Sequence, residues 1–341
     1  MYSRVKKVFK GIELIMSRIK QLVLNLFIIG FITVFLFEIS YRFSVIDFYK
    51  TESTALNKDI ATDSVDYLVF GDSFSAFPSG YIHYLNQTTN KTFVNAAVPG
   101  IGPKQVNTFA KRRIKEFAPK AIIYQVYVGN DLIDVEHLTN YKALAFSRNI
   151  YWDVSDYLLS ISYFNYRFAS YYSNKLALEK EAIGQPFSEA YYNKRSKLLF
   201  KANANYLYET VTVTGDFEDR YVSWIASMKK FMDKVPVNIP VSIIFIPHCS
   251  QVNDRYLNRM EVIGANFKDA KEYKSVNYPL FVKASADLKM YKNIRFLNPL
   301  RTIKEKDSIS KPLYYNNDPH FKEFGHTVLG EFIKEELLIK E

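Results

Sequence analysis

The chain has 341 residues, of which 48% are hydrophobic, 16% aromatic and 23% charged. That balance excludes a disordered or collagen-like chain, and the length admits one large domain or two of ordinary size. The single cysteine, Cys249, rules out an internal disulfide, and no Cys/His spacing suggests structural zinc. The net charge of +10 is unevenly placed, because residues 1–20 hold Arg4, Lys6, Lys7, Lys10, Arg18 and Lys20 against Glu13 alone. Basic charge gathered ahead of the first apolar run, with no dense basic run after it, is a topology signal and argues against nucleic acid as a partner.

From Leu22 to Phe37 the sequence LVLNLFIIGFITVFLF holds only Asn25 as a strongly polar residue. With its flanks, residues 21–40, it reaches the roughly 20 residues that a helix needs to cross a bilayer. No Ala-x-Ala cleavage pattern follows, so the run reads as one uncleaved transmembrane anchor and not as a signal peptide. A buried core helix is the alternative, although such helices seldom lack a polar face over this length. The basic segment 1–20 precedes the span, which predicts a cytoplasmic N-terminus and a periplasmic or extracellular domain. Residues 41–62 have weak periodicity and several Thr, Ser and Lys, and read as a tether with room for one short helix.

Beyond the tether, from residue 63 to 341, apolar runs at Val65–Phe70, Lys91–Val98, Ala121–Val128 and Val241–Ile246 predict buried strands, each closed by Gly or Pro. Residues 104–118 and 219–234 read as amphipathic helices, and a last helix is expected over Thr327–Leu338. Alternation of strand and helix predicts an α/β fold with a mostly parallel sheet and helices on both faces. Ligands of such sheets sit beyond the carboxyl ends of the strands, so the informative residues are those that directly follow each run.

After the first run come Gly71-Asp72-Ser73, a turn that exposes a serine, with the positive end of a following helix expected to face it. Taken alone the triplet reads more simply as a helix N-cap, with Ser75 the better cap if Ser73 is catalytic. A nucleophilic serine needs a base and an orienting acid. Of the five histidines only His320 sits in a compact unit, Asp318-Pro319-His320, just before the closing helix. By itself that unit is an ordinary turn. His326 reads as packing, His248 as a weaker rival base, and His83 and His137 as surface residues. Gly100 can present a bare backbone N–H, and Asn130 a side-chain amide, to a developing oxyanion.

Together the four blocks VFGDSFS, VNAAVPGIGPKQ, IIYQVYVGNDL and YYNNDPHFKEFGH occur in order, the first three after predicted strands. This pattern resembles the SGNH (GDSL-type) hydrolase superfamily over about residues 65–135 and 236–335. The resemblance implies a three-layer α/β/α domain with a flavodoxin-like sheet. It implies Ser73 as nucleophile, His320 as general base and Asp318 as its orienting partner. It implies an oxyanion hole from the Ser73 and Gly100 N–H groups and the Asn130 amide. One departure is the spacing: the superfamily commonly has Asp-x-x-His, whereas one residue separates Asp318 from His320 here. The shorter unit also occurs in membrane-anchored relatives and in the alginate O-acetyltransferase type.

The expected activity is that of an extracytoplasmic serine esterase removing O-acyl groups, acetyl foremost, from envelope or secreted glycans. An O-acyltransferase with a membrane acyl-donor partner would use the same residues, and a degenerate glycan-binding domain is the non-enzymatic reading. No cofactor and no metal are expected. An insert at about 136–235 opens with an aromatic-rich stretch over 150–175, which suits packing on the sheet edge, a lid over the serine, or contact with the membrane interface.

Overall fold

A computed structural model describes residues 2–43, 45–47, 49–60, 64–135 and 183–339, with a few further positions between 154 and 164. The aromatic stretch at 150–175 and His137 therefore lie almost wholly outside the described residues. Helix α1 (Tyr2–Arg42) joins the basic segment and the apolar run into one helix. Its portion Gly11–Arg42 is long and apolar enough to cross a membrane. Side chains such as Phe27, 72% exposed, and Phe31, 65% exposed, have no protein over them, which sets α1 apart from a buried core helix.

Residues 41–60, expected as a tether, are held to the domain. Tyr41 and Tyr49 are buried in the main core, and the short helix α2 (Lys50–Leu56) follows Tyr49 directly. Asn57 Nδ2 donates to Asn95 O at 2.7 Å, and Asn95 N–H donates to Asn57 Oδ1 at 2.7 Å. Glu38, near the end of α1, accepts the N–H groups of Leu159 and Ser160 at 3.1 and 2.9 Å. Side chains thus fix the junction that backbone periodicity leaves blank.

Five strands form one parallel sheet: β1 (Tyr67–Phe70), β2 (Phe93–Asn95), β3 (Ala121–Tyr127), β4 (Val241–Ile246) and β5 (Ile294–Leu297), in the order β2-β1-β3-β4-β5. Helix α3 (Tyr81–Thr88) crosses from β1 to β2, and α4 (Pro103–Phe117) crosses back to β3. After β3 come α5 (Asp131–Val135), α6 (Lys194–Ala202), α7 (Tyr206–Thr212) and α8 (Phe217–Met232), the last leading into β4. Between β4 and β5 lie α9 (Cys249–Val252), α10 (Asp254–Val262), α11 (Ala270–Tyr273) and α12 (Pro279–Asp287); α13 (Leu300–Lys306) and α14 (Glu323–Lys334) close the chain.

Helix α3 packs on α14, whereas α4 packs on α8 and α5. Right-handed crossovers put these two groups on opposite faces, because the chain reverses direction across the sheet after β2. The result is a three-layer α/β/α domain with its switch point between β1 and β3, where doubly wound sheets hold their ligands. The later part of the insert is a component of this domain: Trp224 on α8 is fully buried, and α8 is the crossover helix that feeds β4. Strand β5 was not expected. Of its four residues only Leu297 is fully buried, and Arg295 is exposed, with its Nε donating to Ser242 Oγ at 2.8 Å on β4.

Candidate active site

The turn after β1 is set by its own side chains. Val98 N–H donates to Gly71 O at 3.1 Å, extending the β1–β2 ladder as far as Gly71. Asp72 Oδ1 then accepts Phe74 N–H at 3.0 Å, and Asp72 O accepts Ala76 N–H at 2.9 Å. This Asx turn buries Asp72 and Phe74 and leaves Ser73, between them, half-buried. Beneath it lies Gln125 of β3, 1% exposed, whose Oε1 accepts Asp72 N–H and the Ser75 hydroxyl, both at 3.0 Å. A Cβ on Gly71 would stand 2.3 Å from that same oxygen and 2.7 Å from the Ser75 hydroxyl, so any larger residue there would have to displace the Gln125 side chain.

The helix expected directly after Ser73 does not form there. A turn runs from Ser73 to Ser75, and α3 begins only at Tyr81, after Pro78 and Gly80. A residue that precedes proline, here Phe77, is pushed out of the helical region. Ser75 caps nothing, because its hydroxyl pairs with Tyr81 Oη at 2.6 Å in the core. Ser73 therefore gets no help from a helix dipole on its own crossover.

His320 reaches Ser73 on a loop of hairpin form. Tyr314 and Phe321 make an antiparallel bridge, Lys322 N–H donates to Leu313 O at 2.8 Å, and Tyr315 N–H donates to His320 O at 3.1 Å. Ser73 Oγ lies 2.8 Å from His320 Nε2. On the other side of the ring, Nδ1 donates to Asp318 Oδ1, which also accepts the His320 backbone N–H at 2.9 Å. The short Asp-Pro-His spacing is thereby explained: one carboxylate oxygen two residues upstream spans the backbone N–H and the ring N–H together. The second oxygen of Asp318 accepts Asn193 Nδ2 at 3.0 Å. Phe74, the neighbour of the serine, stacks on the imidazole at 4.8 Å and limits its rotation.

Burial works against charge on His320, yet the adjacent Asp318 carboxylate outweighs it and raises the imidazole above its ordinary 6.5. For Asp318 burial likewise opposes ionisation, and the His320 charge and hydrogen bonds outweigh it, lowering the carboxyl below 3.8. Asp72 is raised by burial, which its contacts with Phe74, His320 and Asn130 only partly offset. Asp131 is pushed well above 3.8 by burial and then by the nearby Asp72 and Asp134. Asp134 is raised by burial, with partial relief from Arg195, whose Nη2 donates to it at 2.6 Å.

The structure brings Ser73, His320 and Asp318 into one hydrogen-bonded row. Asn130 is one residue away from it, its Nδ2 donating to Asp72 Oδ2 at 3.3 Å while its Oδ1 is buried without a partner. Gly100 lies two residues beyond Val98 at the carboxyl end of β2, exposed and with φ +72° in the left-handed region that favours glycine. The backbone N–H groups of Ser73 and Gly100 have no acceptor among the described residues. His248 is no rival base: it caps α9 through Nδ1, and burial lowers it to about 3. His326 stacks on Phe77 at 4.9 Å and is lowered by burial to about 3, as packing requires. His83 is exposed.

Three contributors were not foreseen. Gln125 had a signal, a lone amide inside the apolar strand AIIYQVYV. Asn193 and Phe74 had none, since a partner 125 residues away and a ring stack leave no local pattern. Among the described residues, no group of three or more His, Cys, Asp or Glu is placed to hold a metal ion. No family model matches the chain, and no curated protein or solved structure is significantly similar to it.

Proposed function

We propose that the chain is a membrane-anchored serine esterase of the SGNH type, which removes O-acyl groups, acetyl foremost, from glycans outside the cytoplasm. One observation carries this reading: Ser73 Oγ, His320 Nε2, His320 Nδ1 and Asp318 Oδ1 stand in a single row of hydrogen bonds at the switch point of the sheet. Asp318 accepts the Nδ1 proton and so leaves Nε2 free to take the proton of Ser73. The Ser73 oxygen then bonds to the ester carbonyl carbon, and the carbonyl oxygen gathers negative charge. The unpartnered N–H groups of Ser73 and Gly100 and the Asn130 amide are the donors on hand for that charge. Nε2 returns its proton to the departing sugar oxygen, which leaves the acyl group on Ser73. Water, deprotonated by Nε2, attacks the acyl-enzyme and releases the acid and free Ser73.

The length and apolarity of α1 support an anchor, and the basic residues ahead of it favour a cytoplasmic N-terminus. The test uses the full chain in detergent micelles with a fluorophosphonate probe, mapping the adduct by mass spectrometry. The expected result is a label on Ser73 that is lost in Ser73→Ala and in His320→Ala, together with hydrolysis of p-nitrophenyl acetate. A folded wild-type chain that takes no label would overturn the reading.

A further inference from the structure

A groove opens where the end of α1 meets α4, on the flank of the domain and away from Ser73. Arg42, Lys50, Lys111, Arg112, Lys115 and Lys234 line it, against the two carboxylates Asp47 and Glu116. Both carboxylates are already engaged by Arg113, whose Nη1 lies 2.5 Å from Asp47 and 2.7 Å from Glu116. Lys50, Lys111 and Lys115 are exposed and have no ion pair among the described residues. Arg112 and Arg113 each keep one buried Nη2 without an acceptor, so the junction as a whole is short of negative charge.

Its position narrows the partner. Arg42 is the last residue of α1, and at 1.5 Å per residue it stands only about 8 Å beyond Phe37, where the apolar run ends. That is the depth of the phosphate layer of a bilayer. Val45, which lines the groove, is 76% exposed, and Phe43, two residues before it in the chain, is 78% exposed. Cations beside uncovered apolar side chains suit a molecule with a phosphate and a hydrocarbon part, more than they suit a free anion.

We infer that this groove holds the phosphate headgroup of an anionic membrane lipid in the leaflet where α1 emerges. The inference rests on α1 being a membrane anchor. Such a contact would fix the tilt and height of the domain over the bilayer, and with them the reach of Ser73 towards an acylated polymer.

The test is retention of lipid by the full chain in mild detergent, offered equal phosphatidylglycerol and phosphatidylcholine and read by native mass spectrometry. The wild-type chain should keep phosphatidylglycerol about fivefold over phosphatidylcholine, and Lys50→Gln/Lys111→Gln/Lys115→Gln should abolish that preference. Replacing three exposed lysines outside the groove, Lys268, Lys271 and Lys306, by Gln should leave the preference intact. Equal retention by the wild-type chain and the groove variant would overturn the inference. So would release of the lipid by excess inorganic phosphate, which would mark a site for soluble anions. Alkaline carbonate extraction of membranes separates the two failures. A chain released by carbonate defeats the anchor itself, whereas a chain retained without lipid preference defeats only the groove.

Discussion

Asn193 offers the sharpest test of how the proposed triad is held. Its Nδ2 donates to Asp318 Oδ2 at 3.0 Å, its Oδ1 caps α6 by accepting Ser196 N–H at 3.2 Å, and its backbone N–H donates to Asn317 O at 3.1 Å. Asn193→Ser keeps a cap-forming oxygen and the backbone bond, but has no amide to reach the carboxylate. Asp318 is 8% exposed, so water cannot readily replace the lost donor. A hydrogen bond to a charged group is worth about 1.5–3 kcal/mol, which corresponds to a loss of about 10- to 150-fold in kcat/KM. The loss should fall on kcat and spare KM, because Asn193 acts through Asp318 and reaches no substrate. A carboxylate that turns away from Nδ1 also leaves burial as the stronger influence on His320. The acidic limb of the rate profile should therefore move to lower pH. The assay is steady-state hydrolysis of p-nitrophenyl acetate across pH, with thermal melting as the control for folding. A variant with wild-type kcat, or one that loses activity equally at every pH without moving the limb, would refute this role.

Four other outcomes are expected. Gly71→Ala should cost about 2–4 kcal/mol in urea denaturation, since its Cβ would displace Gln125 Oε1 and strip the acceptor from Asp72 N–H and the Ser75 hydroxyl; an unchanged midpoint would refute the close approach. Activity needs neutral His320, and that imidazole is raised, so the rate should reach half its maximum above pH 6.5, and Asp318→Asn should lower both the rate and that midpoint. The pair should also stabilise the fold most between about pH 3.8 and 6.5: the Asp318 contribution is lost as pH falls through its lowered value, and that of His320 as pH rises through its raised one. Asp131 is raised, so its burial costs stability as pH climbs above 3.8, and Asp131→Asn should melt higher than wild type at pH 8, with the gain shrinking as pH falls; melts that shift equally at both would contradict the assignment.

Four of the five strands were legible because each is an apolar run closed by a helix breaker, and their ends differ from expectation by at most three residues. Strand β5 was not, because an edge strand buries only part of its side chains and IRFL carries a cation in its middle. The serine turn was legible as a turn, but the helix expected after it gave way to Pro78 and to an Asx turn that keeps the backbone amides of Asp72 and Phe74 occupied. The meeting of Ser73 with His320 spans 247 residues, and only the ordered set of blocks, not any single one, pointed to it. The clasp around Asp318 was out of reach: Asn317 takes Ser188 N–H at 2.9 Å and donates to Gln185 O and Pro186 O, contacts between side chains and bare backbone that no composition records.

The junction with α1 and the candidate site are coupled more closely than a tether would allow. Asn57 holds both backbone groups of Asn95, and Asn95 in turn donates its Nδ2 to Ser75 O at 2.7 Å while its Oδ1 accepts Ala97 N–H at 3.0 Å. One asparagine of the juxtamembrane segment thus braces the end of β2, and that end braces both the serine turn and the stretch that leads to Gly100. Asn95 is 3% exposed, so none of these groups has water in reserve. Tyr41, hydrogen-bonded to Thr108 on α4, and Asp47, paired with Arg113, fasten the same segment to the crossover helix that follows Gly100. The segment that leaves α1 is therefore part of the scaffold that aims the serine turn and the Gly100 turn, and the orientation of α1 and the geometry around Ser73 are set by one continuous set of contacts.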